Sequence, residues 1–167
     1  MSEVSESIAP CLIFAWGNPS RGDDALGPLF IERLEAQADG HAEWGSFDCL
    51  SDFQLQIEHA LDLAGRERVL FVDASLSCAA PFEVSLVTPC RDKSYTSHAM
   101  SPGALLQVYR ELYGEAPAAS QLLAIRGQRF ELGEALSHDA QAHLEAALAW
   151  TGAWLSASSS GRRAAAY

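Results

Sequence analysis

The sequence predicts an α/β protein: a three-layer sandwich whose mostly parallel, twisted sheet of about five strands, one of them antiparallel, lies between helices. Three observations predict it. Cys11–Trp16 (CLIFAW) and Val69–Val72 (VLFV) are short continuous apolar runs, the pattern of strands buried on both faces. Amphipathic stretches of helical period alternate with such runs, the order from which parallel sheets are built. Turn residues close the runs, beginning with Gly17-Asn18-Pro19.

Taken in order, the first strand is Cys11–Trp16. Beyond Ser20–Asp24 a helix carries Leu26, Leu29, Phe30 and Leu34 on one face and ends before Asp39-Gly40. Trp44–Leu50 reads as the second strand. Ser51 and Gln54 stand at capping-box spacing and predict a helix through Phe53, Leu55, Ile57, Leu61 and Leu63, stopped by Gly65. Val69–Val72 is the third strand and delivers Asp73 at its C-terminal end. The stretch from Asp73 to the fourth strand, Glu83–Val87, is shorter than the dozen or so residues of a parallel crossover, so this pair is expected to be antiparallel. Ser101-Pro102 supplies an N-cap and first helical position for a helix through Leu105, Leu106, Val108, Tyr109 and Leu112. Leu122–Ile125 is the fifth strand, and Ser137 caps a last helix with Ala140, Leu144, Leu148 and Leu155 inward. Ser156–Tyr167 has no packing pattern and is expected to fray. The chain reads as one domain, residues 1–167, with its core at about 11–155.

Apolar residues make up 49% of the chain, enough to bury a core. The net charge of −11 argues against a nucleic-acid partner, which needs clustered Lys and Arg. Cys11, Cys49, Cys78 and Cys90 match no metal-ligand spacing and read as buried free thiols in a reducing compartment. The opening MSEVSESIAP lacks the basic-then-apolar order of a secretory signal, and no apolar run reaches membrane-spanning length. A cytoplasmic monomer without membrane contact is expected.

Three places could carry chemistry. Gly17-Asn18-Pro19-Ser20-Arg21-Gly22-Asp23-Asp24-Ala25-Leu26-Gly27 has the strand-turn-helix position of a dinucleotide fingerprint but not its glycine spacing. Its acidic pair would also repel a pyrophosphate. Asp23 and Asp24 could simply cap the helix. Asp73 could bind a ligand or close a turn with its own side chain. His98, in a loop, could be merely solvated. Together, two carboxylates and an imidazole make a mixed oxygen and nitrogen set suited to a borderline divalent ion such as nickel or zinc. Three protein ligands would leave positions open for a substrate.

The whole pattern is more specific than its parts. An apolar strand followed by G-N-x4-D-D-x2-G (Gly17-Asn18, Asp23-Asp24, Gly27) resembles the opening motif of the nickel-iron hydrogenase maturation endopeptidases. Val69–Ser75 (VLFVDAS) is similar to their second block, and Thr96-Ser97-His98 with Ser101-Pro102 to their third. Gly127 with Phe130-Glu131-Leu132-Gly133 resembles a weaker fourth, and the blocks keep the family's order from about residue 11 to 150. The resemblance implies an α/β sandwich that removes a short C-terminal peptide from a hydrogenase large-subunit precursor after nickel insertion. It maps nickel recognition and catalysis onto Asp24, Asp73 and His98, with the nickel carried by the substrate rather than permanently bound. Asp23 is then a helix cap, and asparagine should replace it at little cost.

One segment departs from the family. Asp48-Cys49-Leu50-Ser51-Asp52-Phe53-Gln54 stands where many relatives have an aspartate and small, glycine-rich residues. It is expected to bear on substrate choice and points to a specialised partner, for which a cytoplasmic NAD-reducing hydrogenase is the candidate. A non-catalytic nickel-binding assembly chaperone would use the same three residues. Another hydrolase of similar topology, a spore-type protease or a nucleoside-processing enzyme, lacks a reason for His98 in its TSHAMSP setting.

Overall fold

The computed structural model of the chain describes residues 7–91 and 100–164. At its centre β1 (Cys11–Trp16) pairs in parallel with β2 (Phe47–Asp52) on one side and β3 (Arg68–Ser75) on the other. β3 pairs in parallel with β5 (Ala119–Arg126), and β4 (Phe82–Val87) closes the far edge antiparallel to β5, giving the order β2-β1-β3-β5-β4. This position explains the unbroken CLIFAW run. All six residues are buried because β1 has a strand on each edge and helical segments on each face.

The strand pleat divides the core in two. Cys11, Ile13 and Ala15 face α1 (Leu26–Ala38) and α3 (His138–Ala164), through Phe30, Leu34, Leu144 and Leu148. Leu12, Phe14 and Trp16 face the opposite layer, made by a 3-10 helix (Ile57–Leu63) and α2 (Pro102–Tyr113), through Ala60, Leu63, Leu105 and Leu106. Cutting a core ring such as Phe14 or Phe71 to alanine should cost about 3–5 kcal/mol. The chain moves from β1 to β2 in one direction and from β2 to β3 in the other. Crossovers of one hand therefore place α1 and the 3-10 helix on opposite faces.

The expected three-layer sandwich is thus the fold, and Ser101 caps α2 as read, its Oγ accepting from the Ala104 amide at 3.1 Å. Four local expectations need correction. β4 is antiparallel, but β5 lies between it and β3, so the strands joined by the short connection do not pair with each other. Trp44 ends a short 3-10 turn rather than opening β2, and Ser51 opens no helix: it is extended, paired with Ala15. Here ladder hydrogen bonds override a local capping signal. The cap sits five residues later, where the Gln56 side chain accepts from the His59 amide and His59 Nδ1 accepts from the Gln56 amide at 2.8 Å. Displacing the helix leaves Phe53, Ile57 and Leu61 exposed, while Leu55 and Leu63 stay in the core. Finally, α3 does not fray at Ser156 but continues to Ala164. The buried stripe from Ala140 to Leu155 supplies the costly nucleus, and a helix already nucleated gains one hydrogen bond for each residue it adds, even through a Ser-rich segment. None of the four cysteines is in a disulfide, and Cys90 is exposed rather than buried.

Candidate active site

β1 and β3 are neighbours whose outgoing chains part company: after β1 the chain turns to β2, after β3 toward β4 and β5. In an open α/β sheet such a divergence leaves a crevice at the carboxyl ends of the two strands, where ligands bind. Asp24 and Asp73 stand at the two sides of this crevice.

The loop after β1 is built to hold Asp24. It turns through a 3-10 segment, Gly22–Ala25, directly into α1. A Cβ on Gly17 would collide with the carbonyl oxygen of Asp24, and one on Gly27 with that of Trp16. The motif glycines therefore exist so that the helix start can lie against the strand end. Asn18 has two tasks. Its Oδ1 accepts from the Ser20 amide at 2.9 Å, closing the turn, and its own amide donates to Asp24 Oδ2 at 2.8 Å.

Asp73 lies inside β3, one residue beyond the last β1–β3 pair, Ala15 with Val72. Burial pushes its carboxyl up to about 7, and the negative charge of Asp24 adds to the shift. Hydrogen bonds from the Ala74 amide and the Trp16 side chain oppose the rise without cancelling it. A carboxyl group poised near neutrality can take up or release a proton under working conditions.

His98 lies outside the described residues, so the structure brings together two members of the expected triad. Among the described residues no three His, Cys, Asp or Glu side chains form a metal-holding group. The chain re-enters at Met100, which packs against the core layer containing Trp16.

Asp23 is not the helix cap expected of it. Neither the 3-10 segment nor α1 has a side-chain cap, and the Asp23 carboxylate is fully buried against the loop between β5 and α3. Oδ1 accepts from the Ser137 amide at 2.7 Å, while Oδ2 accepts from the Gln128 amide and Ser137 Oγ at 2.7 Å and from the Arg129 amide at 3.3 Å. Burial alone would raise its pKa, but these donors outweigh it and hold the group below the usual carboxylate range. An asparagine could not face so many donors.

Sequence reasoning also missed a histidine-carboxylate pair. His59 Nε2 lies 3.1 Å from Asp52 Oδ2 at the end of β2, and because His59 Nδ1 accepts from the Gln56 amide, Nε2 carries the proton. The Gln56-x-x-His59 spacing was the available signal. Asp48, in the same departing segment, is a structural ion-pair partner of Arg66. A cleft of about 320 Å³ between α1 and the start of β2 is lined by Glu35, Phe47 and Cys49 and includes neither Asp24 nor Asp73. Its one thiol is inert, because burial and then Glu35 push Cys49 up to about 12.

No protein-family model matches the sequence, and no curated protein matches it. Solved structures do. The maturating endopeptidase HybD of hydrogenase from E. coli is 22% identical, with TM-score 0.66 over 89% of this chain and 93% of its own. The NiFe hydrogenase maturation protease HycI from Thermococcus kodakarensis is 21% identical, with TM-score 0.64 over 91% and 96%. A hydrogenase 2 maturation peptidase from a Thaumarchaeota archaeon is 19% identical, with TM-score 0.57 over 84% and 94%. The chain has the fold of these proteins almost end to end.

Proposed function

We propose that this chain is an endopeptidase that removes the C-terminal extension of a nickel-iron hydrogenase large-subunit precursor after nickel insertion. The observation that carries the proposal is the convergence of Asp24 and Asp73 at the β1–β3 crevice, in a chain sharing its fold with such endopeptidases over 91% of its length.

The nickel belongs to the substrate. Asp24, Asp73 and His98 offer two oxygen donors and one nitrogen donor, a set that fits a borderline divalent ion and leaves positions for the precursor's own ligands. Held by these residues, the ion would supply Lewis acidity to the scissile peptide bond. Asp24, held by the Asn18 amide, keeps a carboxylate at the crevice. Where the ion serves only to mark the precursor as ready, Asp73, near neutrality in the free protein, is the group suited to accept the proton of an attacking water. The exposed Phe53, immediately after β2, gives the departing segment an apolar contact for the precursor. That segment favours a specialised substrate, the large subunit of a cytoplasmic NAD-reducing hydrogenase. The enzyme works as a single-domain monomer in the cytoplasm; among the described residues no helix is long and apolar enough to cross a membrane.

Incubation with nickel-loaded, unprocessed large subunit, followed by mass measurement, tests the reading. Loss of a C-terminal peptide is expected. A precursor that stays intact while binding the protein tightly would instead identify a nickel-binding assembly chaperone.

A further inference from the structure

The structure assigns Asp23 a positioning role: it fastens the loop between β5 and α3 across the crevice and thereby sets where Asp24 stands relative to Asp73. The inference rests on the role given to Asp24 above and adds a residue that touches neither substrate nor ion.

The loop from Gly127 to Ser137 is tied to both walls of the crevice. At its start the Gly127 amide donates to the Ser75 carbonyl at 2.8 Å, two residues beyond Asp73 on β3. Further on it is tied to the loop that carries Asp24. The Gly133 amide donates to the Ser20 carbonyl at 2.7 Å, the Gly22 amide to the Glu134 carbonyl at 3.2 Å, and the Asp23 amide to the Arg129 carbonyl at 2.8 Å. The Asp23 carboxylate draws the strap together, accepting from Gln128, Arg129 and both donors of Ser137. Ser137 Oγ also stands 3.3 Å from the Ala140 amide, so the start of α3 joins the same knot.

Among the described residues Asp23 is the one charged side chain buried to zero exposure, and its anion has hydrogen-bond donors around it rather than a cation. A buried anion satisfied in this way is rigid, since any movement leaves both charge and amides unpaired. Asp24 is the next residue. Among the described residues its carboxylate is held directly by one hydrogen bond, from Asn18, so its direction depends on a backbone that Asp23 immobilises. Small displacements of a reacting group cost far more in rate than in stability.

The test uses the full chain and compares wild type with Asp23→Asn, Ser137→Ala and Ser137→Thr. The Asn18 amide, which donates to Asp24, serves as a local reporter by NMR hydrogen exchange, with the Leu70 and Val72 amides of β3 reporting global opening. We expect Asp23→Asn to speed Asn18 exchange at least about tenfold while Leu70 and Val72 keep their protection, and to lower kcat for precursor by about tenfold or more with KM little changed. Ser137→Ala should do the same more weakly, and Ser137→Thr, which keeps the hydroxyl, should restore both readouts. If Asp23→Asn fails to fold, the Ser137 pair decides alone. Equal acceleration at Asn18 and Leu70 with unchanged kcat per folded molecule would make Asp23 merely structural and overturn the inference. Unchanged Asn18 exchange would do so too. A wild type that cleaves no precursor would refute the proposed function instead, leaving Asn18 exchange to judge the anchor.

Discussion

The charge of Asp24 reaches Asp73 across the β1–β3 crevice: burial first, and that charge second, push the Asp73 carboxyl up to about 7 from 3.8. Two carboxylates this close make a place that attracts a cation.

This coupling sets a pH dependence. Processing should rise with pH as Asp73 ionises through about 7, and kcat/KM should report that group in the free enzyme. Asp24→Asn should move the inflection downward, because one of the two causes of the shift is removed. A pH-rate profile in which Asp24→Asn leaves the inflection of residual activity in place would break the coupling.

Stability should run the other way. Between 3.8 and about 7 the folded chain holds a proton on Asp73 that the unfolded chain has released, so this group's contribution falls as pH rises through that window and is flat above it. Asp73→Asn should therefore be more stable than wild type at pH 8, by on the order of 2–4 kcal/mol, and also inactive. The gap should close as pH approaches 3.8. Denaturant midpoints at three pH values measure it, and a variant less stable at pH 8 would contradict the burial cost assigned to Asp73.

Asp24→Asn should fold normally, since the amide oxygen can still accept from Asn18, yet lose processing by about 100-fold or more for want of an anionic ligand. Urea unfolding and a precursor assay on the same preparation separate the two effects.

His98→Ala should also yield a folded protein that cannot process precursor, with a melting shift of only a degree or two in keeping with a change of about 0.5 kcal/mol or less, as expected of a residue whose sequence surroundings read as loop. Full processing by this variant would remove His98 from the site.

The substrate should bring the metal. Purified enzyme is expected to cleave nickel-loaded precursor without added ions, to be indifferent to prior chelation, and to leave nickel-free precursor intact. A stoichiometric ion retained by the enzyme and required for cleavage would point to an ordinary metalloprotease.

Much of this was legible in the chain itself. β1 and β3 announce their double burial in CLIFAW and VLFV, because a central strand between two helical layers has no polar face to show. Gly17, Asn18 and Gly27 mark the strand-to-helix turn, because their backbone contacts exclude a Cβ or require a side-chain amide. Asp24 and Asp73 follow as the carboxylates at the ends of those strands. What tertiary structure decided are the facts that depend on residues far apart in sequence. The capping signal at Ser51 lost to pairing with Ala15, since a sheet ladder supplies more hydrogen bonds than a local cap. β4 passed over β5, which a short connection did not reveal. Asp23, beside Asp24 and of the same chemical type, became a buried anchor because donors from Gln128, Arg129 and Ser137, more than a hundred positions away, converge on it. Local sequence determines which groups are available; only the folded chain determines which of two adjacent aspartates meets water and which meets a wall of amides.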